Sequence, residues 1–374
     1  SVSAGALAMY LDMLYSSTGG KVDLFKEPKI REMCLFISYS HIDGPWYANF
    51  GDADACLGSS KRPVIYKAGE RMSCDELKHF AVSSYFHRGA NGKITRKTSL
   101  TDMSCCAYFC YYVRELFWIP ASGIRLADKP RRRTVWLPDL QLLVARETEK
   151  TGKGLVLTAI GGDNEMGHSH NDVGNFTLYS DSEPVIIDAG IETYCRQTFS
   201  STRYQLWNTR GTAHNAPVIN GIEQVKGAES RADNVNFEET DDGEIRLGMN
   251  LEKAYPPEAG VRSLLRTFTM TRGKECLVTI SDRLEMSSKP ADVEINMLSI
   301  VRPKTAGKGL LEFKIKGKKV FLQFDPGFFK AAFSGVEISD PRMRKSWGES
   351  MTRIVFSSKS KAKSCSYCFK VSGS

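Results

Sequence analysis

The sequence predicts an α+β multidomain chain, with a helical part over residues 1–125 and an antiparallel β-sandwich over residues 126–374. Three observations predict it. Apolar residues ahead of residue 120 recur with helical spacing. Beyond Lys129-Pro-Arg-Arg-Arg133 the apolar period falls to two. From there to the end, short apolar runs are separated by turn residues, without an internal repeat of fixed length.

In the helical part, Leu7, Tyr10, Leu11 and Leu14 fall at i, i+3, i+4 and i+7 and mark one helix face. Ile30, Met33, Leu35, Phe36 and Ile37 crowd a second helix at 27–40, and a third is expected from about 68 to 88. Ala107–Trp118 reads as a fourth, apolar nearly all round and stopped by Pro120. Between the second and third lies YSHIDGPWYANFGDADACLG, rich in Asp, Gly and aromatic residues. It suits an ordinary surface loop or a carbohydrate-contacting one. In the second part, strands are expected at Thr134–Ala145, Leu155–Ile160, Asn175–Tyr179 and Pro184–Asp188. Asp181-Ser182 reads as a tight hairpin and Asn220-Gly221 as a type I′ turn. Phe313 and Ile315 alternate with lysines, Gly317 turns the chain, and Val320, Leu322 and Phe324 alternate again; Met351–Phe356 and Cys365–Val371 add the last strands.

The chain has 374 residues, enough for two domains, and its 41% hydrophobic and 25% charged content is ordinary for a protein with a proper core. Mean hydropathy is −0.30 and no apolar run approaches 20 residues, which excludes a membrane-spanning helix. Lys plus Arg exceeds Asp plus Glu by 51 − 43 = 8, which favours an anionic partner. The basic residues are dispersed and form no recognisable nucleic-acid-binding motif, so nucleic acid is not the expected partner. The ten cysteines are irregularly spaced, and the lone Cys365-Ser-Tyr-Cys368 pair has no second pair to complete a metal site. The opening SVSAGALAMYLDMLY has no basic residue ahead of its apolar stretch, so it reads as an amphipathic helix and not as a signal peptide.

Most of the chemical information lies in the six histidines. Three of them, His168, His170 and His214, fall within one short stretch. Gly167-His168-Ser169-His170 is followed by Asn171-Asp172, and in an extended segment residues two apart face the same way. Asp188 closes the apolar VIIDAG run, and His214 lies in Gly211-Thr-Ala-His-Asn215 just ahead of the Ala216–Ile219 strand. Two neutral imidazoles and a carboxylate gathered at strand ends make a three-ligand zinc set. The alternative is that these are polar residues satisfied by hydrogen bonds at strand ends.

Together, HSHNDVGNFTLYSDSEPVIIDAG and RYQLWNTRGTAHNAPVING resemble the C-terminal sheet domain of the heparinase II/III-like polysaccharide lyases. WLPDLQLLVARE is similar to that domain's first strand, and PWYANFGDADACLG to a loop near the end of the family's helical toroid. The resemblance is strongest over 134–224 and weak beyond about 290. It implies the C-terminal part of an incomplete (α/α) toroid followed by an antiparallel β-sandwich, with substrate in a cleft between them. The helical part is short for a whole toroid, so the chain is expected to begin inside that domain.

The resemblance also implies roles. His168 takes part in catalysis, and His170, Asp188 and His214 bind zinc. The family's tyrosine acid/base and its carboxylate-neutralising residue belong to toroid segments that this chain is expected to lack. Tyr204 is the candidate catalytic tyrosine here, with Tyr194 beside it in sequence, and Arg203 and Arg210 are candidates for binding a substrate carboxylate or sulfate. The implied partner is an acidic polysaccharide, uronic-acid-containing and heparin- or heparan-sulfate-like. The implied setting is bacterial, periplasmic or secreted. Cleavage by β-elimination would need a base at C5, an acid at O4 and a neutraliser for the uronate carboxylate. A non-catalytic glycan-binding fragment and a zinc-dependent glycan hydrolase remain the alternatives.

Overall fold

A computed structural model describes residues 2–57, 62–88, 94–96, 117–118, 131–150, 152–165 and 167–373. The chain divides into two compact units, one formed by residues 1–45 and 57–130, the other by residues 46–56 and 131–374.

The first unit is helical. Helix α1 spans Val2–Ser17, α2 Pro28–Tyr39, α3 Arg62–Arg71 and α4 Asp75–Tyr85, and a short hairpin pairs Phe86–Arg88 with Ile94–Arg96. The spacing in α1 does bury Leu11, but Tyr10 from the same expected face stands exposed. Pro28 opens α2, where its missing N–H costs nothing because the first helical amides have no partner anyway. The single helix expected over 68–88 is two. The break falls at Met72–Cys74, where Ser73 takes a left-handed φ of 50° and the amides of Met72, Ser73 and Cys74 close onto Ala68, Glu70 and Gly69. Arg71 at the end of α3 ion-pairs with Asp12 of α1 at 2.7 Å and covers the Tyr15 ring at 4.0 Å. The helix expected at 107–118 lies outside the described residues, apart from 117–118.

The second unit is the antiparallel sandwich that the alternating pattern predicts. One sheet runs, in spatial order, Glu183–Ile186, Phe176–Ser180, Leu155–Ile160, Leu142–Arg146 and Thr134–Leu137. An eight-stranded sheet begins with Asp233–Glu239, Ile245–Asn250, Val261–Thr271 and Leu277–Met286. It continues through Ser364–Gly373, Lys318–Phe324, Leu310–Ile315 and Lys304–Gly307. A third sheet orders Pro217–Ile219, Val293–Ser299, Ser350–Ser358 and Phe329–Glu337. All pairings within these three sheets are antiparallel. Leu143, Leu157 and Leu178 of the first sheet, Leu247, Phe268 and Ile280 of the second, and Ile295 and Phe356 of the third share one buried core.

Turn chemistry sets the registers. Asp181 and Ser182 both adopt positive φ, as do Asn220 and Gly221, which is what a two-residue hairpin turn of the I′ type requires. The run expected as one strand over 134–145 is a hairpin instead. Pro138 cannot donate to a ladder, Gln141 takes φ 49°, and the amides of Leu140 and Gln141 close back onto Leu137 and Pro138.

Residues 46–56 pack with the sandwich. Trp46 stacks on Trp347 at 5.6 Å with the rings nearly parallel, and Ala55 enters a small core with Ile187, Ala189, Leu298 and Met343. Trp347 ends helix α5, Pro341–Trp347. Asp340 caps that helix, accepting from the amides of Arg342 and Met343 at 2.9 Å each, and also from Thr193 N at 3.0 Å. Arg342 makes a two-bond ion pair with Asp54, both contacts at 2.8 Å.

Burial raises the Asp340 carboxyl, but the backbone donors of Met343, Thr193 and Arg342 outweigh it and hold it below the usual carboxylate range. Its stabilising contribution is therefore complete above the unfolded value of about 4 and disappears as pH falls through the lowered folded value. Asp340→Ala should cost about 0.5–2 kcal/mol at neutral pH, the usual cost of losing a helix cap. The gap between native and variant unfolding midpoints should shrink as pH drops below about 4. A gap that stays constant across that range would show that the carboxylate does not supply the cap.

Candidate functional site

The segment carrying HSHND is not a strand. Its backbone is held by side chains from elsewhere. Asp172 N donates to Asn164 Oδ1 at 3.2 Å, Val173 N donates to Gln224 Oε1 at 3.0 Å, and Gln224 Nε2 donates to the Val173 carbonyl at 2.7 Å. Asn171 Nδ2 donates to the Gln224 carbonyl at 3.1 Å. Gly174 then turns with φ 79°, and a Cβ there would come within 2.6 Å of Leu251. The expectation that His168 and His170 share a face of an extended strand is therefore corrected. His168 sits in a turn at φ 69°, with its side chain 56% exposed, while the His170 side chain is fully buried.

The two rings nonetheless converge on one carboxylate. Asp52, from the 46–56 segment, accepts from His168 Nδ1 at 2.8 Å through Oδ2 and from His170 Nε2 at 3.0 Å through Oδ1. Arg203 Nη2 donates to the same Oδ1 at 2.5 Å. Burial pushes the Asp52 carboxyl up, but these three donors more than reverse that and hold it well below the carboxylate range. Tyr194 and Phe199 stand round the His168 ring at centroid distances of 6.1 and 6.0 Å, and the Tyr194 hydroxyl lies 3.5 Å from His168 Nδ1. Phe199 is 66% exposed.

Behind His170 lies a buried acidic pocket. Asp172, Asp188 and His214 offer ligand atoms that all lie within 4.8 Å of one another. His170 stands next to this group, its ring 5.2 Å from that of His214. His214 Nδ1 contacts Asp188 Oδ2 at 2.5 Å, and Asn175 Nδ2 donates to the same oxygen at 2.5 Å. Gly190 N donates to Asp188 Oδ1 at 2.7 Å. Burial would raise the Asp188 carboxyl, but the charge of His214 and its hydrogen bond outweigh that and hold the carboxyl low. His214 moves the opposite way: burial would lower it, and Asp188 raises it. Asp172 is raised, because burial dominates over the nearby imidazoles. Two ring nitrogens, His214 Nε2 and Nδ1 of the neighbouring His170, are buried without any hydrogen-bond partner. A buried unpaired ring nitrogen is costly. The unpartnered His214 nitrogen and the two carboxylates make Asp172, Asp188 and His214 a group chemically able to hold a divalent metal ion, with Asp172 in the place where the sequence reading put His170.

The framework behind the pocket is polar and fully used. Asn175 Oδ1 accepts from the amides of Phe176 and Asn215. Asn215 donates to the carbonyls of Phe176 and Ile187 and accepts from Leu298 N, so one side chain joins three segments. Arg266, fully buried, pairs with Asp282 through two 2.7 Å bonds and donates to the carbonyls of Gly174 and Asn215 at 2.9 Å each.

The remaining sequence candidates are placed as follows. Arg203 is buried, and its guanidinium is engaged by Asp52 and by the Ser169 and Thr198 carbonyls. The Tyr204 hydroxyl donates to the Asn164 carbonyl at 3.0 Å and lies 3.4 Å from Ser169 Oγ. Arg210 is half exposed and pairs with Glu223. Sequence reasoning passed over Asp52, Asp172, Asn175, Asn215 and Arg266. Asp172 and Asn175 lay inside the quoted motif, and Asp52 lay in the Asp-rich aromatic loop; nothing in the sequence marked Arg266.

Replacing Arg266 by Met should destabilise the chain by about 3–5 kcal/mol, because it leaves Asp282 buried and unpaired. The denaturant midpoint should fall accordingly, and joint replacement of Arg266 and Asp282 by apolar residues should recover part of the loss. Additive losses in the double variant would show that the two charges do not act as a pair.

The profile of the family described as heparinase II/III-like, C-terminal, matches residues 130–323. No curated protein sequence matches the chain. Among solved structures, heparan sulfate lyase HepC from Pedobacter heparinus aligns with a TM-score of 0.67 at 14% identity, covering 100% of this chain and 51% of that one. A heparinase III gene product aligns with a TM-score of 0.64 at 12% identity, covering 92% of this chain and 46% of that one. At such identities the likeness is one of fold, and the chain spans about half the length of these two structures. The profile match takes in more than half of the residues, and the chain belongs to the heparinase II/III-like family.

Proposed function

We propose that this chain supplies the sheet-borne half of a polysaccharide lyase site that cleaves an acidic, uronic-acid-containing glycan of the heparan-sulfate type by β-elimination. The observation that carries the reading is the exposed His168 ring, held on a buried carboxylate and backed by a buried Asp–Asp–His group. The solved structures it resembles include enzymes named as heparan sulfate lyases, and the net charge of +8 suits a polyanion.

In this reading His168 takes the proton from C5 of the uronate. The C5–H electrons form the C4=C5 double bond, the C4–O4 bond breaks, and O4 leaves with a proton. The Tyr204 hydroxyl is already spent on a backbone carbonyl, so of the two tyrosines the exposed Tyr194 beside His168 is better placed to serve O4. Of the two candidate arginines, Arg210, paired with Glu223, is the one with surface to offer a carboxylate or sulfate, whereas Arg203 holds Asp52 and the Ser169 carbonyl in place. Zinc would be held by His170, Asp188 and His214, with Asp172 in the same pocket. When bound, it would supply fixed positive charge that locks the two loops beneath His168. The setting proposed is periplasmic or secreted, and no described helix is long and apolar enough to cross a membrane.

The enzyme acting on a uronate polymer should release products with the ultraviolet band of a conjugated uronate. His168→Ala should lower kcat by about 10²–10⁴-fold, the range for a lost general base, with metal content unchanged. New reducing ends without that band would make the protein a hydrolase and overturn the reading. His214→Ala should lose the metal and about 3–5 kcal/mol of stability, since it breaks the buried contact with Asp188. Elemental analysis and thermal unfolding check both variants. Loss of zinc from His168→Ala would instead make His168 a ligand.

A further inference from the structure

We infer that Asp52 is the positioning residue that fixes the ring of His168, keeping the proton on Nδ1 and leaving Nε2 free as the base; the inference rests on the lyase reading. Asp52 grips His168 at two points. Its side chain accepts from Nδ1 at 2.8 Å, and its own amide donates to the His168 carbonyl at 3.0 Å. The backbone grip matters because His168 is held at φ 69°, a region that residues with a Cβ adopt only when their surroundings enforce it. The close approach also requires Gly51. That residue sits at φ 61°, and a Cβ there would lie 2.6 Å from the His168 carbonyl oxygen.

The Asp52 side chain is only 3% exposed, so it works through the ring and not on the glycan. An ionised carboxylate can only accept, so the imidazole nitrogen facing it must carry the hydrogen. In a neutral ring that leaves the lone pair on Nε2, on a side chain that is 56% exposed. The second oxygen is taken by His170 Nε2 and Arg203 Nη2, which stops the carboxylate from rotating away. The same bond occupies His170 Nε2, so that its unpartnered buried nitrogen is Nδ1. One carboxylate from a segment more than a hundred residues away therefore sets the tautomer of both histidines.

The test is long-range proton–nitrogen correlation on the ¹⁵N-labelled full chain at a pH where the ring is neutral. His168 is assigned by the signal lost in His168→Gln. The expected native ring carries its hydrogen on Nδ1. Asp52→Asn, whose amide can donate as well as accept, should move the hydrogen to Nε2 or average the two forms. In the active enzyme it should lower kcat by about 10²–10⁴-fold with little change in KM. A merely structural Asp52 would lower stability and leave the tautomer as it was. A native ring protonated on Nε2, or an Asp52→Asn ring still protonated on Nδ1, overturns the inference. If Asp52→Asn does not fold, the native tautomer decides alone. Absence of an unsaturated product would sink the lyase reading but leave this measurement intact, so the two failures are told apart.

Discussion

The Arg266–Asp282 pair is the interaction on which the rest of the site depends. Both side chains are essentially without solvent, in the middle of the eight-stranded sheet. Taking two charges out of water costs several kcal/mol each, and a buried pair recovers that only when its geometry is good and its remaining donors are satisfied. Here the two bonds are parallel and short, and the spare Nη1 hydrogens go to the carbonyls of Gly174 and Asn215. Those two carbonyls belong to the loops that carry Asp172 and His214. The charge pair thus ties irregular backbone to the most regular part of the fold.

The site is built on loops that borrow the rigidity of the sheets. Buried backbone without ladder partners must find other ones, and here Asn164, Gln224, Asn175 and Asn215 supply them. These amides both donate and accept, so each can bridge segments that no strand register would align. The arrangement frees the histidines and aspartates from the alternation a strand would impose. One ring stands in solvent while its neighbour two residues on is fully buried.

That division separates two kinds of chemistry. His168 is exposed among aromatic rings. His170, Asp172, Asp188 and His214 are sealed from solvent, where charge interactions are strong and a bound ion would be held firmly. Asp52 lies between the two and is bonded to both sides. Its carboxylate is kept ionised by three donors despite its burial, so its accepting role is secure at neutral pH.

The sequence by itself determined what depends on near neighbours. The alternation over 310–324 gave two paired strands about the turn at Gly317, and Asp181-Ser182 and Asn220-Gly221 gave turns elsewhere in the sandwich, because strand period and left-handed φ are local properties of a few residues. It also singled out His168, His170, Asp188 and His214 from their three short runs, but passed over Asp52 and Asp172. Breaks within a run were harder to read: Pro138 divides 134–145 and Ser73 divides 68–88, since an apolar period continues across a tight turn. What only the tertiary structure decided was the pairing of distant groups. Asp52 reaches His168 and His170, Arg203 turns inward to Asp52, and Arg266 finds Asp282 and two loop carbonyls. The physical reason is that such contacts arise when sheets close over one core. A charge's partner is then fixed by which chain segments meet there, and no local propensity records that meeting.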